Sequence, residues 1–297
     1  MGGVKPPYPT EIPPLLPLFL NKRRTKITYP LEKTDELGID RPTFIWVVNL
    51  SYRGDRGGSG EPGDLMSAYS TIPDRWMPMA AAARGAGLAE QRDGRWHLTA
   101  KGRDLSAGMH SAARSYYATL APLPKDELAE LARLLDRAFL VSAEAKEPAR
   151  RQHTPFAFGY RGDDPQPGSF AQLDAAIYGL WQVRDDSHMA AWRASGLSGP
   201  EVELLTRIWR NEAADVDALV ELLPHQSRDS IESGLAHLRR EGLVDKTELT
   251  ATDRGGAARQ RIEDETDRLF FEPWPDDVGS RSSWIAEKLH EVNTALA

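Results

Sequence analysis

The chain has 297 residues, enough for one large core or two ordinary ones, and it contains no cysteine, which excludes disulfides, thiolate metal sites and cysteine nucleophiles. Its formal charge of -7 is unevenly spread: residues 1–169 carry 23 Lys and Arg against 20 Asp and Glu, while residues 170–297 carry 14 against 24. The back half therefore repels a phosphate backbone unless its few cations gather on one face.

The opening MGGVKPPYPTEIPP lacks the pattern of a secretory signal, and the most apolar run, FIWVVNL, is far too short for a membrane span. A soluble, cytoplasmic protein is expected. Residues 1–40 hold seven prolines and a basic cluster at Lys22, Arg23, Arg24 and Lys26. That proline density argues against a helix at the start, so the segment reads as a solvated arm, with contact to nucleic acid as the second reading.

From Arg41 the pattern becomes regular. Phe44–Leu50 is apolar, a loop follows, and DLMSAYS reads as a short helix. Ser70 and Thr71 offer an N-cap to a further helix with Ile72, Trp76, Met79, Ala80 and Ala83 on one face, Pro78 in its middle, and Gly85 and Gly87 at its end. The stretch GLAEQRDGRWHLTAKGRDL then supplies a strand, the hairpin signal Asp93-Gly94, a return strand and a helix start. Helix, short helix, turn, longer helix, hairpin, helix is the order of a winged helix-turn-helix.

Leu105–Leu120 and Lys125–Ala145 read as packing helices, the second with Leu128, Leu131, Leu134, Leu135 and Phe139 along one side. Glu147–Gly168 is rich in proline and glycine and reads as a linker. Helices are expected at Gln172–Ala194, from Ser198 onward, at Asp215–Leu223 and at Ser227–Glu241. GLVDKTELTATDRGGA then repeats the earlier phrase, and superimposing Leu88 on Leu243 aligns Trp76 with Ile231, Ala80 with Leu235 and Ala83 with Leu238. The second wing is shorter, since Gly87 to Leu98 spans 11 steps and Gly242 to Leu249 spans 7. Helices at Ala257–Phe271 and Trp284–Ala295 finish the chain.

The expected fold is mostly α, with two winged helix-turn-helix domains joined by long packing helices. Its divisions are an arm (1–40), a first winged-helix domain (41–146), a linker (147–169) and a second, acidic one (170–297). In such a domain the third helix enters the major groove and the wing reaches flanking phosphates. The candidate DNA contacts are Thr71 and Arg75 on the first reading helix, Arg92 and Arg95 at the wing tip, and Lys101 and Arg103 after it. In the second copy they are Gln226, Arg228 and Ser230, read as exposed, and Lys246.

These residues carry a resemblance. Arg41 to about Ala145 resembles the MarR family of bacterial transcriptional regulators, GLAEQRDGRWHLTAKGRDL being similar to their wing and following helix and LAPLPKDELAELARLLDRAF to their dimerisation helix. Residues 198–271 resemble a second, more divergent copy. The resemblance implies a homodimer, or one chain mimicking a dimer, that binds double-stranded DNA and answers to a small-molecule effector. The duplication, the acidic second copy, the short second wing and Pro78 depart from the family pattern.

Other chemistry finds less support. GSGEPG (58–63) fits a dinucleotide-binding pattern, but seven residues separate Leu50 from Gly58, Pro62 intrudes, and no alternating strands follow. No two of the seven histidines share a helical turn, so neither a metal nor another cofactor is expected. His188, with Asp185 and Trp192 one turn away on either side, reads first as a buried, hydrogen-bonded histidine. As a ligand cleft, the candidates are Trp181, Arg184, His188 and Trp192. The expected function is a non-enzymatic DNA-binding regulator. The alternatives are an adaptor whose acidic copy docks a basic protein, and a DNA-repair enzyme on the same scaffold.

Overall fold

A computed structural model of the chain describes residues 4–27, 32–54, 57, 58, 69, 73–162 and 165–296. The protein is mostly helical. Helix α1 (Leu15–Lys22) forms where proline density argued against one. Pro14 stands at its N-cap and Pro17 at its third position, where a backbone N–H has no intrahelical partner to lose. Ile12, Leu16 and Phe19 are fully buried, and α1 packs on α14 (Ser282–Ala295) and α8 (Phe170–Ala194). Residues 4–27 thus form no solvated arm, and three members of the basic cluster turn inward. Lys22 Nζ donates to Asn293 O at 2.8 Å, Arg23 pairs with Asp174 at 2.5 Å, and Arg24 donates to the Tyr117 and Tyr160 hydroxyls at 2.7 and 2.5 Å.

After the short α2 (Glu32–Glu36), Asp40 caps α3 (Arg41–Ser51) by accepting from Thr43 N at 2.9 Å. The expected helix over DLMSAYS lies outside the described residues, apart from Tyr69. Helix α4 (Pro73–Gly85) runs through the exposed Pro78 and buries Trp76, Ala80 and Ala83, as the spacing required. Strands β1 (Ala89–Arg92) and β2 (Arg95–Leu98) pair antiparallel, and α5 (Ala100–Tyr117) follows. Helix α3 packs on α4, α5 and β2 around Phe44, Trp46, Leu50 and Trp96.

Helix α6 (Lys125–Glu144) buries its leucine side against the 25-residue α8. Between them the expected linker holds a further helix, α7 (Thr154–Arg161), packed on α8. Asp186 on α8 accepts from the N–H groups of Gln152, His153 and Thr154 at 2.7 to 2.9 Å, filling the orphan donors at the start of α7. Arg151 donates to Ser142 O at 2.7 Å and to Ala143 O and Ala145 O at 2.6 Å, closing the end of α6. Prolines and glycines here mark tight turns. The largest core joins α1, α6, α8, α12 (Asp253–Phe271) and α14, so residues on both sides of 147–169 share it.

The remaining elements are α9 (Gly199–Trp209), opened by a Ser198/Glu201 capping box, α10 (Val216–Leu222), α11 (Arg228–Arg240), and the brief α13 (Asp276–Gly279). Helix α9 packs on α11 and α12 as α3 packs on α4 and α5. Ile231, Leu235 and Leu238 are buried at the positions matched to Trp76, Ala80 and Ala83.

The repeated phrase closes twice in one way. Gly87 and Gly242 have φ of 71° and 67°; Leu88 N bonds Ala83 O at 2.8 Å, and Leu243 N bonds Leu238 O at 2.9 Å. Thr99 and Thr252 each donate Oγ1–H to the glycine carbonyl at 2.7 Å, and each Oγ1 accepts from the glycine N–H three residues on, Gly102 at 3.2 Å and Gly255 at 3.0 Å. The threonine therefore ties the left-handed helix end to the next helix start, which is why the Thr-x-x-Gly step recurs; Ala251, and not Leu249, stands in the place of Leu98.

Candidate nucleic-acid interface

The first wing is a four-residue strand pair with Arg92 opposite Arg95 across the turn. Asp93 and Gly94 both have positive φ, 52° and 74°, the backbone of the tight hairpin turn matched to right-handed strand twist. Side chains alternate: Trp96 and Leu98 point into the core, where Trp96 meets Trp46 edge to face at 5.5 Å, and Arg92 and Arg95 are exposed. Gly58 extends the wing, since its N–H and carbonyl both bond Trp96 at 2.8 Å. The described part of the glycine-rich loop thus pairs with the wing. Gly58's pairing was invisible to motif reading, because its partner lies 38 positions away.

The predicted contacts separate into distinct environments. Arg92 Nε lies 3.2 Å from Glu90 Oε1, both half-exposed, a pairing worth little in water. Lys101 Nζ donates to Ala86 O at 2.9 Å, and Arg103 donates to Leu98 O at 2.7 Å, so these two cations brace the ends of α4 and β2 while remaining exposed. Arg75 falls on the first turn of α4; its side chain and Thr71 lie outside the described residues. The exposed positions of α4 from Met77 onward include Met77, Pro78, Ala81, Ala82 and Arg84, a surface with one charge.

In the second unit Gln226 is corrected. It is 5% exposed and donates to Glu203 Oε2 at 2.8 Å, beside His225 Nε2 at 2.6 Å from the same oxygen. The backbone turns inward ahead of the Ser227 cap, so a polar residue one position before a helix faces the buried carboxylate of α9 instead of solvent. Arg228 is exposed but paired with Asp217 at 2.5 Å and Glu232 at 3.5 Å. Ser230 is half-buried, its N–H bonded to the Ser227 cap at 3.1 Å. Lys246 is exposed on a wing reduced to one bridge, Val244 to Ala251, where Asp245 accepts from Thr247 and Glu248 N–H groups at 2.8 and 2.9 Å. Those backbone donors hold the Asp245 carboxyl below its usual range.

The ligand candidates are engaged internally. His188 is buried, with Nδ1 3.0 Å from Thr266 Oγ1 and its ring edge-on to Tyr69 at 5.0 Å; burial pushes its pKa down to about 3. Arg184 pairs with Glu263 at 3.2 Å and Asp267 at 3.5 Å. Trp192 packs in the small core around α9 and α11, and Trp181 against the large one.

Among the described residues no helix is long and apolar enough to cross a membrane. A helix-turn-helix family profile matches residues 95–297, more than half of the chain. No curated protein and no solved structure matches. Within the matched range α10, the turn before Ser227 and α11 make a helix-turn-helix, followed by the reduced wing. The chain belongs to this helix-turn-helix family.

Proposed function

We propose that the protein is a non-enzymatic, cytoplasmic DNA-binding transcription regulator of the MarR type, built from a tandem duplication in which one chain supplies both halves of a pseudo-dimer. The supporting observation is the first wing: a tight turn flanked by exposed Arg92 and Arg95, with exposed Lys101 and Arg103 just behind. Such guanidiniums reach phosphates beside a helix that occupies the major groove. Arg228 stands between the exposed carboxylates of Asp217 and Glu232, whose charges oppose a phosphate there, so the second unit has less to offer. That acidic setting favours a second reading, an adaptor whose acidic unit docks a basic protein. The parallel closures at Gly87 and Gly242 support duplication, and a small-molecule effector belongs to the proposal as its regulatory arm.

The test is binding to random duplex DNA across a salt series, with the intact chain and with Arg92→Glu plus Arg95→Glu. The slope of log affinity against log salt falls by roughly 0.9 for each lost phosphate contact, so the double variant should lower it by about 2. An intact chain with no salt-dependent binding sinks the regulator and leaves the adaptor.

A further inference from the structure

A cavity of about 520 Å³ lies beneath the first wing, bounded by the end of α3, strand β2, helix α5 and Gly159 of α7. Its volume falls within the range of small-molecule sites. Among the described residues its lining includes Arg92, His97, Arg103 and His110 and no carboxylate, so apart from the Tyr52 phenol its charged and titratable groups are potential cations. In a chain of net charge -7, such a lining stands apart from the average surface.

Two further observations show unmet polar capacity. Ser106 on α5 lines the cavity, is 1% exposed, and has a hydroxyl with no hydrogen-bond partner among the described residues. A buried hydroxyl left unbonded is destabilising, and a ligand oxygen would relieve that cost. His110 Nε2 lies 3.2 Å from Ser51 Oγ, whose own proton goes to Val48 O at 2.5 Å, so the imidazole is the donor in that contact. Burial, then the charges of Arg24 and Arg114, push the pKa of His110 down to about 4. His110 is therefore neutral near pH 7, with its one N–H spent on Ser51, and a negative group placed there favours uptake of a second proton, which gives the ring a donor for the ligand. A second cavity of about 500 Å³ shares His110 and Gly159 with the first and is lined by Arg24, Arg114 and Arg161 together with the carboxylate of Asp174, so the purely basic lining is a property of the first cavity.

The geometry points to a binding site for a small organic oxyanion, a phosphate ester or a carboxylate, held beneath the wing by Arg92, His97, Arg103, Ser106 and His110. A guanidinium presents paired N–H donors to a carboxylate or phosphate, and Arg92 and Arg103 supply two such forks on adjacent elements. Leu98 and Ala107 give the organic portion an apolar contact. Arg92 is also a proposed phosphate contact for DNA, so an occupied cavity draws on a group the duplex uses. That consequence rests on the DNA reading above; the site itself does not.

The test is isothermal titration of the full chain with pyrophosphate and, separately, citrate, at ionic strength matched with sodium chloride and without DNA. Saturable one-site binding is expected, weakened at least ten-fold by Arg92→Gln combined with Arg103→Gln and several-fold by Ser106→Ala, with Arg240→Gln on α11 unchanged. Arg92 is exposed and Ser106→Ala only removes an unbonded hydroxyl, so Arg92→Gln and Ser106→Ala alone keep the test valid if Arg103→Gln perturbs folding. Binding of pyrophosphate alone identifies a phosphate ester, and of citrate alone a carboxylate. No saturable heat from either at millimolar concentration overturns the site, as does affinity indifferent to Arg92→Gln and Ser106→Ala. Saturable binding in a chain that ignores DNA retains the site and removes only the regulator.

Discussion

The carbonyl oxygen of Leu88 lies 2.1 Å from where a Cβ on Gly102 would stand. Leu243 and Gly255 repeat the relationship at 1.9 Å. Each glycine begins a helix pressed against the backbone that leaves the preceding one, and no side chain fits between. Gly102→Ala and Gly255→Ala should each destabilise the protein by about 1–3 kcal/mol, although alanine in an open helix would gain up to about 1 kcal/mol. Thermal melts decide it: a raised Tm in either variant would show that the close approach carries no constraint.

Asp174 holds Arg23 in the large core, the two side chains 9% and 3% exposed. Removing one partner of a buried pair leaves a stranded charge, so Asp174→Ala should cost about 3–5 kcal/mol. Urea unfolding of Asp174→Ala beside Arg23→Met/Asp174→Leu separates a stranded charge from lost packing. The double variant should recover most of the stability, and equal losses in both would argue against the ion pair.

His188 is neutral in the folded chain, its pKa pushed down to about 3 by burial. As pH falls below about 6.5 the unfolded chain takes up a proton that the folded chain refuses, so this stabilisation is complete above that pH and lost toward pH 3. His110, pushed down to about 4, acts in the same direction. Each such proton contributes a slope of about 1.4 kcal/mol per pH unit. Unfolding free energies at pH 5 and 7 should differ less in His188→Gln than in the parent chain; an unchanged difference would exclude His188 from the acid response.

Gln226 serves the fold. Gln226→Ala should lower stability by about 1–2 kcal/mol while leaving DNA affinity and its salt slope unchanged, in contrast to Arg92→Glu/Arg95→Glu. Glu203→Ala removes the acceptor of both His225 and Gln226 and should cost more. Loss of DNA affinity in Gln226→Ala, at full stability, would return that residue to the interface.

Local regularities made most elements legible. Caps at Asp40, Ser198, Asp215, Ser227 and Thr252 lie where side-chain chemistry demands, and the period of Trp76, Ala80 and Ala83 faces the core. Helix α1 is hidden from a proline count because such a count ignores position, and at a third helical residue the missing N–H costs nothing. Helix α7 leaves no local signal because its start is capped by Asp186, 32 residues away from Thr154. The wing arginines could be read from the Asp-Gly turn, whereas the inward turn of Gln226 depended on a carboxylate one helix earlier.

By itself the sequence determined two helix-hairpin-helix closures of unequal wing length, and a charge balance favouring the first. Those properties are set by short-range chemistry: periodicity, left-handed glycine and threonine caps. Only the tertiary structure decided that the basic N-terminal stretch is internal, that residues on both sides of 147–169 share one core, and that His97, Ser106 and His110 line a common cavity with Arg92 and Arg103. Each of these depends on burial and charge pairing between segments distant in the chain, where local patterns carry no record of the partner.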